Sequence, residues 1–365
     1  MISLFIISFL VSLVVTLLIV KSVHLYPHLL DSHLDGIQKV HRDPVPRIGG
    51  FGIYIAILIA AIYQLFIGKF DDFFLLKLLV VVTPIFLAGL FEDVLKNVSP
   101  IRRIIFTVIS AAVGYYWLNI QVIRVDIPML DTWLNFWWIS LPITLFAITG
   151  VTNAINIIDG FNGLASIVVC FMLLSVCYVA FKVGDVMVLQ AALVGIGAIC
   201  GFFIWNYPHG LIFLGDSGAY LIGIFLANLV VLLVMRNPII SAWYPLLLLI
   251  YPVFETFFSI YRRMFIRKIS PSLPDGVHLH MLIFRRLVRW AVGSQDAKQL
   301  TKRNSLTAPY LWLLSVLAVA PATLFWNSKW ILLSFVLLFI GTYRLIYWRI
   351  VKFKSPKWLI VSKKV

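Results

Sequence analysis

A polar stretch, NAINIIDGFNGLA at residues 153–165, interrupts a strongly apolar part of the sequence. Its Asn153, Asn156 and Asp159 lie three residues apart, so one helical turn would bring them to the same face, and Asn162 extends the row. Amide and carboxylate oxygens can coordinate a hard metal cation or hydrogen-bond a base or a sugar. A polar helix cap is the alternative, but a cap needs one such residue and the stretch has four. We therefore expect a binding or catalytic site here.

Adjacent carboxylates occur in FEDVLKNVSPIRR, residues 91–103. Glu92 and Asp93 repel each other unless a cation lies near them. Lys96 and Arg102 supply positive charge in the same stretch, and a Mg²⁺ ion held by carboxylates and substrate phosphates would do the same. A solvated helix end is the alternative interpretation.

The stretch FLGDSGAYLIG, residues 213–223, places Asp216 before a long apolar run. An Asp followed by Ser217 and Gly218 is typical of a helix N-cap. The same carboxylate becomes a second oxygen ligand if the fold brings it to face Asp159 or Asn156. The sequence leaves both roles open.

A basic segment follows the first apolar run. DGIQKVHRDPVPRIGG, residues 35–50, carries Lys39, His41 and Arg47. Its prolines and glycines hold it out of a helix and let its backbone approach a ligand closely. The segment suits phosphate binding, with contact to lipid head groups as the alternative.

A histidine-containing segment, DGVHLHMLIFRR at residues 275–286, carries His278, His280 and Arg285. A zinc site fails on ligand count, because no cysteine lies nearby and the chain has no HExxH motif. The pattern favours substrate recognition over a metal, and a structural histidine pair is the alternative.

The chain as a whole has the composition of a membrane protein, because 62% of its 365 residues are hydrophobic and 12% are charged. That much apolar surface requires the bilayer as solvent, and a spanning helix needs about 20 apolar residues. We predict one all-α membrane domain at residues 1–348, followed by a basic tail at 349–365. Eleven spans are predicted, at 3–22, 49–68, 74–91, 104–120, 134–151, 163–181, 186–205, 218–235, 242–261, 306–326 and 328–348.

Lysine and arginine predict the orientation of these spans. With residues 23–48 in the cytoplasm, all but six of the 30 Lys and Arg residues fall on the cytoplasmic side, which places the N-terminus outside and the C-terminus inside. The net charge of +15 reflects this bias and suits anionic lipids and phosphorylated substrates, and it gives no sign of nucleic-acid binding. The predicted cytoplasmic loops lie near 23–48, 92–103, 152–162, 206–217 and 262–305, where the polar stretches occur.

Oxygen ligands, cations and histidines are therefore expected at helix ends on one face of a bundle. This set suits phosphoryl transfer, in which a metal and basic groups neutralise and orient phosphates. A transporter or flippase for a lipid-linked or anionic solute is the rival function. A transport path would more often place charges at mid-depth, where Glu255 is the one plausible buried carboxylate.

Together these motifs resemble the polyprenyl-phosphate N-acetylhexosamine-1-phosphate transferases. This family includes bacterial undecaprenyl-phosphate N-acetylglucosaminyl-1-phosphate transferases and the phospho-N-acetylmuramoyl-pentapeptide transferases. QKVH with PRIGG, the acidic pair, NAINIIDGFNGLA, FLGDSG and the HLH loop occur in the family's order. The resemblance implies transfer of a sugar 1-phosphate, by default GlcNAc 1-phosphate, from a UDP-sugar to undecaprenyl phosphate with release of UMP.

The resemblance also implies Mg²⁺ or Mn²⁺ as cofactor and a multi-pass protein of the bacterial inner membrane. It implies that the reaction initiates a lipid-linked cell-envelope glycan such as an O-antigen or a capsule. Its partners would be the UDP-sugar, undecaprenyl phosphate and membrane lipids. Because family members often dimerise, a homodimer is a candidate assembly.

Individual residues take roles from the same resemblance. Asp216 becomes a metal-binding acid joined by Asn156, and Asp159 becomes a nucleophile or a metal-side residue. Asp93 and Glu92 become the groups that position or deprotonate the lipid phosphate. The expected substrate contacts are Lys39, His41, Arg47, Lys96, Arg102, Asn153, Asn162, His278, His280 and Arg285.

Three positions depart from the family pattern. Glu92 stands where many members have Asp, which makes Asp93 the stronger candidate for catalysis. Asn162 stands where many bacterial members have Asp, which favours a nucleotide contact. Met281 replaces the third His of an HxHH motif, which bears on the sugar preference. An inactive protein of the same fold is a further alternative.

Overall fold

The part of the chain that the computed structural model describes is all-α, as the sequence predicts, apart from two very short strands. The strands β1 (Leu30–Asp31) and β2 (Val45–Pro46) pair antiparallel, with Leu30 opposite Pro46. The structure describes residues 1–22, 30–31, 44–67, 73–270, 276–288, 297–354 and 360.

Fifteen α-helices account for most of these residues, and a short π-helix (Arg262–Arg267) continues the eleventh. The helices are α1 (Ile2–Ser22), α2 (Gly49–Ile67), α3 (Phe74–Leu95), α4 (Pro100–Trp117), α5 (Pro128–Leu134), α6 (Trp137–Ile158), α7 (Leu164–Val183), α8 (Val186–Asn206), α9 (Gly215–Arg236), α10 (Trp243–Leu248), α11 (Ile250–Tyr261), α12 (Leu279–Arg286), α13 (Ala297–Ser305), α14 (Ala308–Leu324) and α15 (Lys329–Val351).

Nine helical stretches in the described part of the chain are long and apolar enough to cross a membrane. They are α1, α2, α3, α6, α7, α8, α9, the stretch Gln299–Leu324 and α15. The last two predicted spans are therefore two separate helices. The predicted spans 104–120 and 242–261 are not among the nine.

These two segments fall outside the nine for different physical reasons. α4 carries two arginines in its first turn and is less apolar than the nine. The segment 242–261 is divided into α10 and α11 at Leu249. Pro252 lacks the N–H that would donate to the carbonyl of Leu248 in a continuous helix, which accounts for a break at this point.

The helix α9 lies at the centre of the bundle, where it packs against α2, α3, α4, α6, α7 and α8. Nearly every residue from Gly215 to Val234 is buried. Close approach at its N-terminus depends on glycine: a Cβ on Gly89 of α3 would lie 2.6 Å from the backbone nitrogen of Ser217. The contact between α3 and α9 thus brings the acidic end of α3 against the first turn of α9.

The turn between α3 and α4 is defined by its own sequence. Lys96 ends α3 in a left-handed conformation with φ of 53°, and its N–H donates to the carbonyl of Glu92. Ser99 then caps α4 by accepting the N–H of Arg102, and Pro100 occupies the first turn, where a missing N–H costs nothing. The turn is short, so the end of α3 and the start of α4 lie side by side.

Candidate active site

A cavity of about 500 Å³ opens at one end of the bundle, where α3, α4, α6, α9 and α12 meet the loops around them. Its lining combines carboxylates, amides, guanidinium groups and imidazoles. These polar lining residues are Glu92, Asp159, Asp216, Asn156, Asn162, Asn206, Asn304, Arg47, Arg103, His278 and His280. Such a mixture of acids and cations suits an anionic ligand or a ligand bound with a cation.

Asp216 lies in the first turn of α9, and its carboxylate contacts three polar side chains of the cavity wall. Arg103 Nη1 donates to its Oδ2 in a short contact. Asn156 Nδ2 donates to its Oδ1 at 3.1 Å, and Arg47 Nη2 lies 3.6 Å from the same oxygen. The acid therefore joins residues from α4, α6 and the segment before α2.

Asp93 lies behind the cavity wall instead of lining it. Its side chain is fully buried, and its Oδ1 accepts the N–H of Asp216 at 2.8 Å. Its Oδ2 accepts both the N–H of Ser217 at 2.8 Å and the Ser217 hydroxyl at 2.6 Å. Asp93 thus satisfies the first N–H groups of α9 and, at the positive end of that helix, is well placed electrostatically.

Glu92 takes the opposite position, because its side chain lines the cavity. One of its oxygens, Oε2, accepts the N–H of Val98 at 2.7 Å. The carboxylates of Glu92 and Asp93 therefore lie in different surroundings. No shared cation is needed to offset the repulsion that the sequence predicts between them. The preference for Asp93 over Glu92 as the group that meets substrate is not supported by this placement.

Asp159 follows the last residue of α6 and is half-buried in the cavity wall. Burial raises its pKa to about 7. The positive charge of Arg47 opposes this rise, and the negative charge of Asp216 adds to it.

The expected row of four polar residues is only partly formed. Helix α6 ends at Ile158, so the row does not continue along one helical face to Asn162. Asn153 is not among the cavity residues, and its amide donates to the carbonyl of Thr149 at 2.8 Å. Asn156, Asp159 and Asn162 do line the cavity.

Asn162 connects the cavity to α13. Its N–H donates to Asn304 Oδ1 at 2.8 Å, and its own amide donates to the Ser305 hydroxyl at 3.3 Å. Asn162 is buried, and together with Asn304 it forms part of the cavity wall. Its position agrees with a substrate contact, and its hydrogen bonds also give it a structural role.

His278 and His280 both line the cavity, and their rings stack with centroids 5.2 Å apart. His278 Nδ1 lies 2.8 Å from Oε1 of Glu255, which is completely buried in α11. Met281, at the position where the sequence departs from the family pattern, is buried and also contributes to the lining.

Three of the expected cationic contacts lie away from the cavity. Arg102, Lys96 and Arg285 are exposed and do not line the cavity, and Arg285 donates to the carbonyl of Gly276 at 3.1 Å. Lys39 lies outside the described residues, as does His41. Only Arg47 of the predicted basic residues reaches the cavity within the described ranges.

Arg103 is the cavity residue that sequence reasoning missed in favour of its neighbour. A signal for it exists in the buried face of α4, which contains Thr107, Ser110 and Gly114. Arg103 lies four, seven and eleven residues before these positions, and this spacing places it on the same face. Arg102 lies about 100° further round the helix and faces outward.

Known proteins are similar to the part of the chain that contains most of the cavity residues. Residues 75–234 match the family described as Glycosyl transferase family 4. A probable undecaprenyl-phosphate N-acetylglucosaminyl 1-phosphate transferase of Bacillus subtilis is 28% identical over 279 residues, which cover 75% of this chain and 76% of that protein. The predicted resemblance to this group of transferases is confirmed.

Two other relatives agree with this result. An undecaprenyl-phosphate alpha-N-acetylglucosaminyl 1-phosphate transferase of Thermotoga maritima is 27% identical over 256 residues, covering 69% of this chain and 72% of the relative. A phospho-N-acetylmuramoyl-pentapeptide-transferase of Streptococcus uberis is 29% identical over 177 residues, or 48% of each chain. The family match contains Glu92, Asp93, Arg103, Asp159 and Asp216, and it ends before the histidine segment.

The oxygen donors of the cavity fit a hard divalent cation that is shared with a substrate. Asp216, Asn156 and Asp159 provide carboxylate and amide oxygens on one wall, which is the donor chemistry of Mg²⁺. No group of three or more His, Cys, Asp or Glu side chains in the described part of the chain could enclose a metal. The residues therefore suit an ion whose coordination would be completed by substrate phosphates.

Proposed function

We propose that this protein transfers an N-acetylhexosamine 1-phosphate from a UDP-sugar to undecaprenyl phosphate and releases UMP. GlcNAc is the default sugar, as in the names of the Bacillus and Thermotoga relatives. The observation that carries the proposal is the cavity in which Asp216 meets Asn156, Arg47 and Arg103. Oxygen ligands and guanidinium groups on one wall can hold the phosphates of both substrates.

The main barrier to this reaction is the electrostatic repulsion between the anionic lipid phosphate and the anionic UDP-sugar. The second pKa of a phosphate monoester is about 6, so much of the lipid acceptor is a dianion at neutral pH and needs little base catalysis. An acceptor oxygen attacks the phosphorus that carries the sugar, and the bond to the UMP oxygen breaks. Arg47 and Arg103 would orient the phosphates and offset their charge.

A divalent metal, Mg²⁺ or Mn²⁺, would be held by Asp216 with Asn156 and Asp159. When bound, it would neutralise charge on the donor phosphates and on the leaving UMP. Glu92, which lines the cavity, is better placed than Asp93 to contact the acceptor phosphate. A double displacement through a phospho-sugar on Asp159 is the alternative route, and it requires exchange of labelled UMP into UDP-sugar without lipid.

The cavity would lie at the cytoplasmic face of the inner membrane, with the N-terminus on the opposite side. This orientation rests on the distribution of Lys and Arg. One membrane domain at 1–348, a basic tail at 349–365, assembly as a homodimer and a role in initiating an O-antigen or a capsule complete the proposal. Glu255, which the rival transport function would place along a mid-depth path, is bonded to a cavity histidine.

The test is UMP release by the purified protein with undecaprenyl phosphate, Mg²⁺ and a panel of UDP-N-acetyl sugars. Asp216→Asn and Asp159→Asn serve as the variants. We expect UMP release that requires both lipid and metal and collapses in both variants, and the panel then identifies the sugar. Folded protein that releases no UMP with any donor would contradict the transferase function.

A further inference from the structure

A buried carboxylate connects the cavity to the last helix of the bundle. Glu255 of α11 is fully buried, and it lies outside the family match at 75–234. An isolated charge in an apolar bundle is costly unless hydrogen bonds satisfy it. The partners of Glu255 therefore indicate what the residue does.

Three donors converge on Glu255. His278 Nδ1 lies 2.8 Å from Oε1, and the N–H of Leu279 donates to the same oxygen at 3.2 Å. The Tyr343 hydroxyl of α15 donates to Oε2. An ionised carboxylate only accepts hydrogen bonds, so Nδ1 of His278 carries a proton and donates to Glu255. The ring donates to an anion through Nε2 when that nitrogen is protonated as well.

The same contacts fix the start of α12. His278 is the residue that precedes α12, and Leu279 is its first residue. Tyr347, one turn after Tyr343, donates to the carbonyl of Val277 at 3.3 Å. Residues 277–279 are therefore held from α11 and α15 at the point where they enter the cavity.

The consequence for the cavity is a histidine of fixed orientation. The stack of His278 on His280 is close to parallel, with an angle of 12° between the rings, and both residues line the cavity. Because Nδ1 of His278 is bonded to Glu255, Nε2 is the ring nitrogen that can act on a ligand. A protonated imidazole makes its strongest hydrogen bonds with anionic oxygens.

We propose that Glu255, supported by Tyr343, is a positioning residue that holds the His278 imidazole as a donor to the diphosphate of the nucleotide-sugar substrate. The inference rests on the proposed function for the identity of that substrate. Arg47 and Arg103 act on the side of Asp216, and His278 adds a further donor to the same cavity. The two phosphates of the nucleotide sugar would then be bound by two sets of donors, the arginines beside Asp216 and the His278 ring.

The experiment measures UDP binding to the full-length protein in detergent, from the concentration dependence of the UDP-induced rise in melting temperature. The variants are Glu255→Gln, His278→Gln and the double variant. We expect each single variant to weaken UDP binding about 10-fold and the double variant to be no weaker than either, because coupled residues are not additive. Glu255→Asp keeps the charge and should lose less affinity than Glu255→Gln.

A buried polar pair far from the cavity provides the control. Gln64 of α2 donates to Gln190 of α8 at 3.1 Å, and neither residue lines the cavity. Gln64→Leu should change the melting temperature without changing UDP affinity. If Glu255→Gln does not fold, Tyr343→Phe tests the same network, and a loss of UDP affinity of about 3-fold is expected because one of three bonds is removed.

Steady-state kinetics separate positioning from general stabilisation. Glu255→Gln should raise KM for the UDP-sugar while KM for undecaprenyl phosphate stays unchanged. UDP affinity that equals wild type in Glu255→Gln, effects that multiply in the double variant, or no UDP-induced stabilisation of wild type would each overturn the inference. UDP binding is measured without turnover, so it tests the role of Glu255 independently of the reaction. A failure of UMP release would contradict the proposed function and would not by itself contradict the role of Glu255.

Discussion

Asp93 and Ser217 are joined by two hydrogen bonds, one from the Ser217 N–H at 2.8 Å and one from its hydroxyl at 2.6 Å, to the same carboxylate oxygen. The other oxygen of Asp93 accepts the N–H of Asp216 at 2.8 Å. The family resemblance assigns Asp93 to catalysis, but in this structure its carboxylate binds the backbone at Asp216 and Ser217. Asp93 positions the cavity acid through the first turn of α9.

Asp93→Asn should lower the melting temperature of the protein. The amide has one accepting oxygen where the carboxylate has two, so it cannot serve both the Asp216 N–H and the Ser217 donors, and a buried donor loses its partner at a cost of about 1–3 kcal/mol. Glu92→Gln is the matched change on the neighbouring residue, which lines the cavity and accepts one backbone N–H. It should lower UMP release with little change in melting temperature. An Asp93→Asn protein with wild-type melting and no activity, beside an active Glu92→Gln, would reverse this assignment.

Arg103→Gln should lower kcat/KM for UMP release by about 100-fold, because it removes a charged donor from a partly buried phosphate site. Arg102→Gln provides the control, because Arg102 is exposed on the same helix and does not line the cavity. We expect it to change kcat/KM by less than about 3-fold, as surface charges contribute little. A larger loss in Arg102→Gln than in Arg103→Gln would show that the wrong arginine has been placed in the site.

The contrast between these arginines shows how far the sequence leads. Long apolar runs predict helices directly, because only helices and closed barrels satisfy the backbone inside a bilayer. The ends of helices are less predictable, since the polar residues of NAINII continue α6 to Ile158 when tertiary contacts satisfy them. A shift of one residue along a helix, from Arg102 to Arg103, changes the face by about 100° and decides which side chain reaches the cavity.

Contacts between distant segments are the part that no local pattern reveals. The polar stretches named from the sequence do contribute Asn156, Asp159 and Asp216 to one cavity. The pairing of Glu255 with His278, however, depends on how α11 packs against α12 and α15, and the residues are 23 positions apart. Sequence alone could identify Glu255 as a buried carboxylate and could not name its partner.

Asn156→Ala should raise the Mg²⁺ concentration required for half-maximal UMP release by about 10-fold. The change removes an oxygen donor from the cavity and also the amide that donates to Asp216 at 3.1 Å, and partners of metal ligands typically affect metal affinity by about 10–100-fold. Treatment with EDTA should abolish UMP release, and added Mg²⁺ should restore it. Asn153→Ala is the control on the same helix, because its amide donates to Thr149 and does not line the cavity. Equal Mg²⁺ midpoints for the two variants would remove Asn156 from the metal site.

Gly215→Ala should abolish activity and strongly lower the melting temperature. Gly215 has φ of 74°, and a Cβ at this position would lie 1.9 Å from the Arg47 carbonyl oxygen and 2.6 Å from Asp93 Oδ2. Gly184→Ala isolates the backbone effect, because Gly184 has the same φ of 74° and nothing within 4 Å of an added Cβ. The left-handed conformation alone costs about 1–2 kcal/mol, so Gly184→Ala should remain active with a modest loss of stability. Thermal melting and UMP release of the two variants are measured side by side. Equal effects of the two substitutions would mean that the close packing of Arg47 and Asp93 around Gly215 does not hold Asp216 in place.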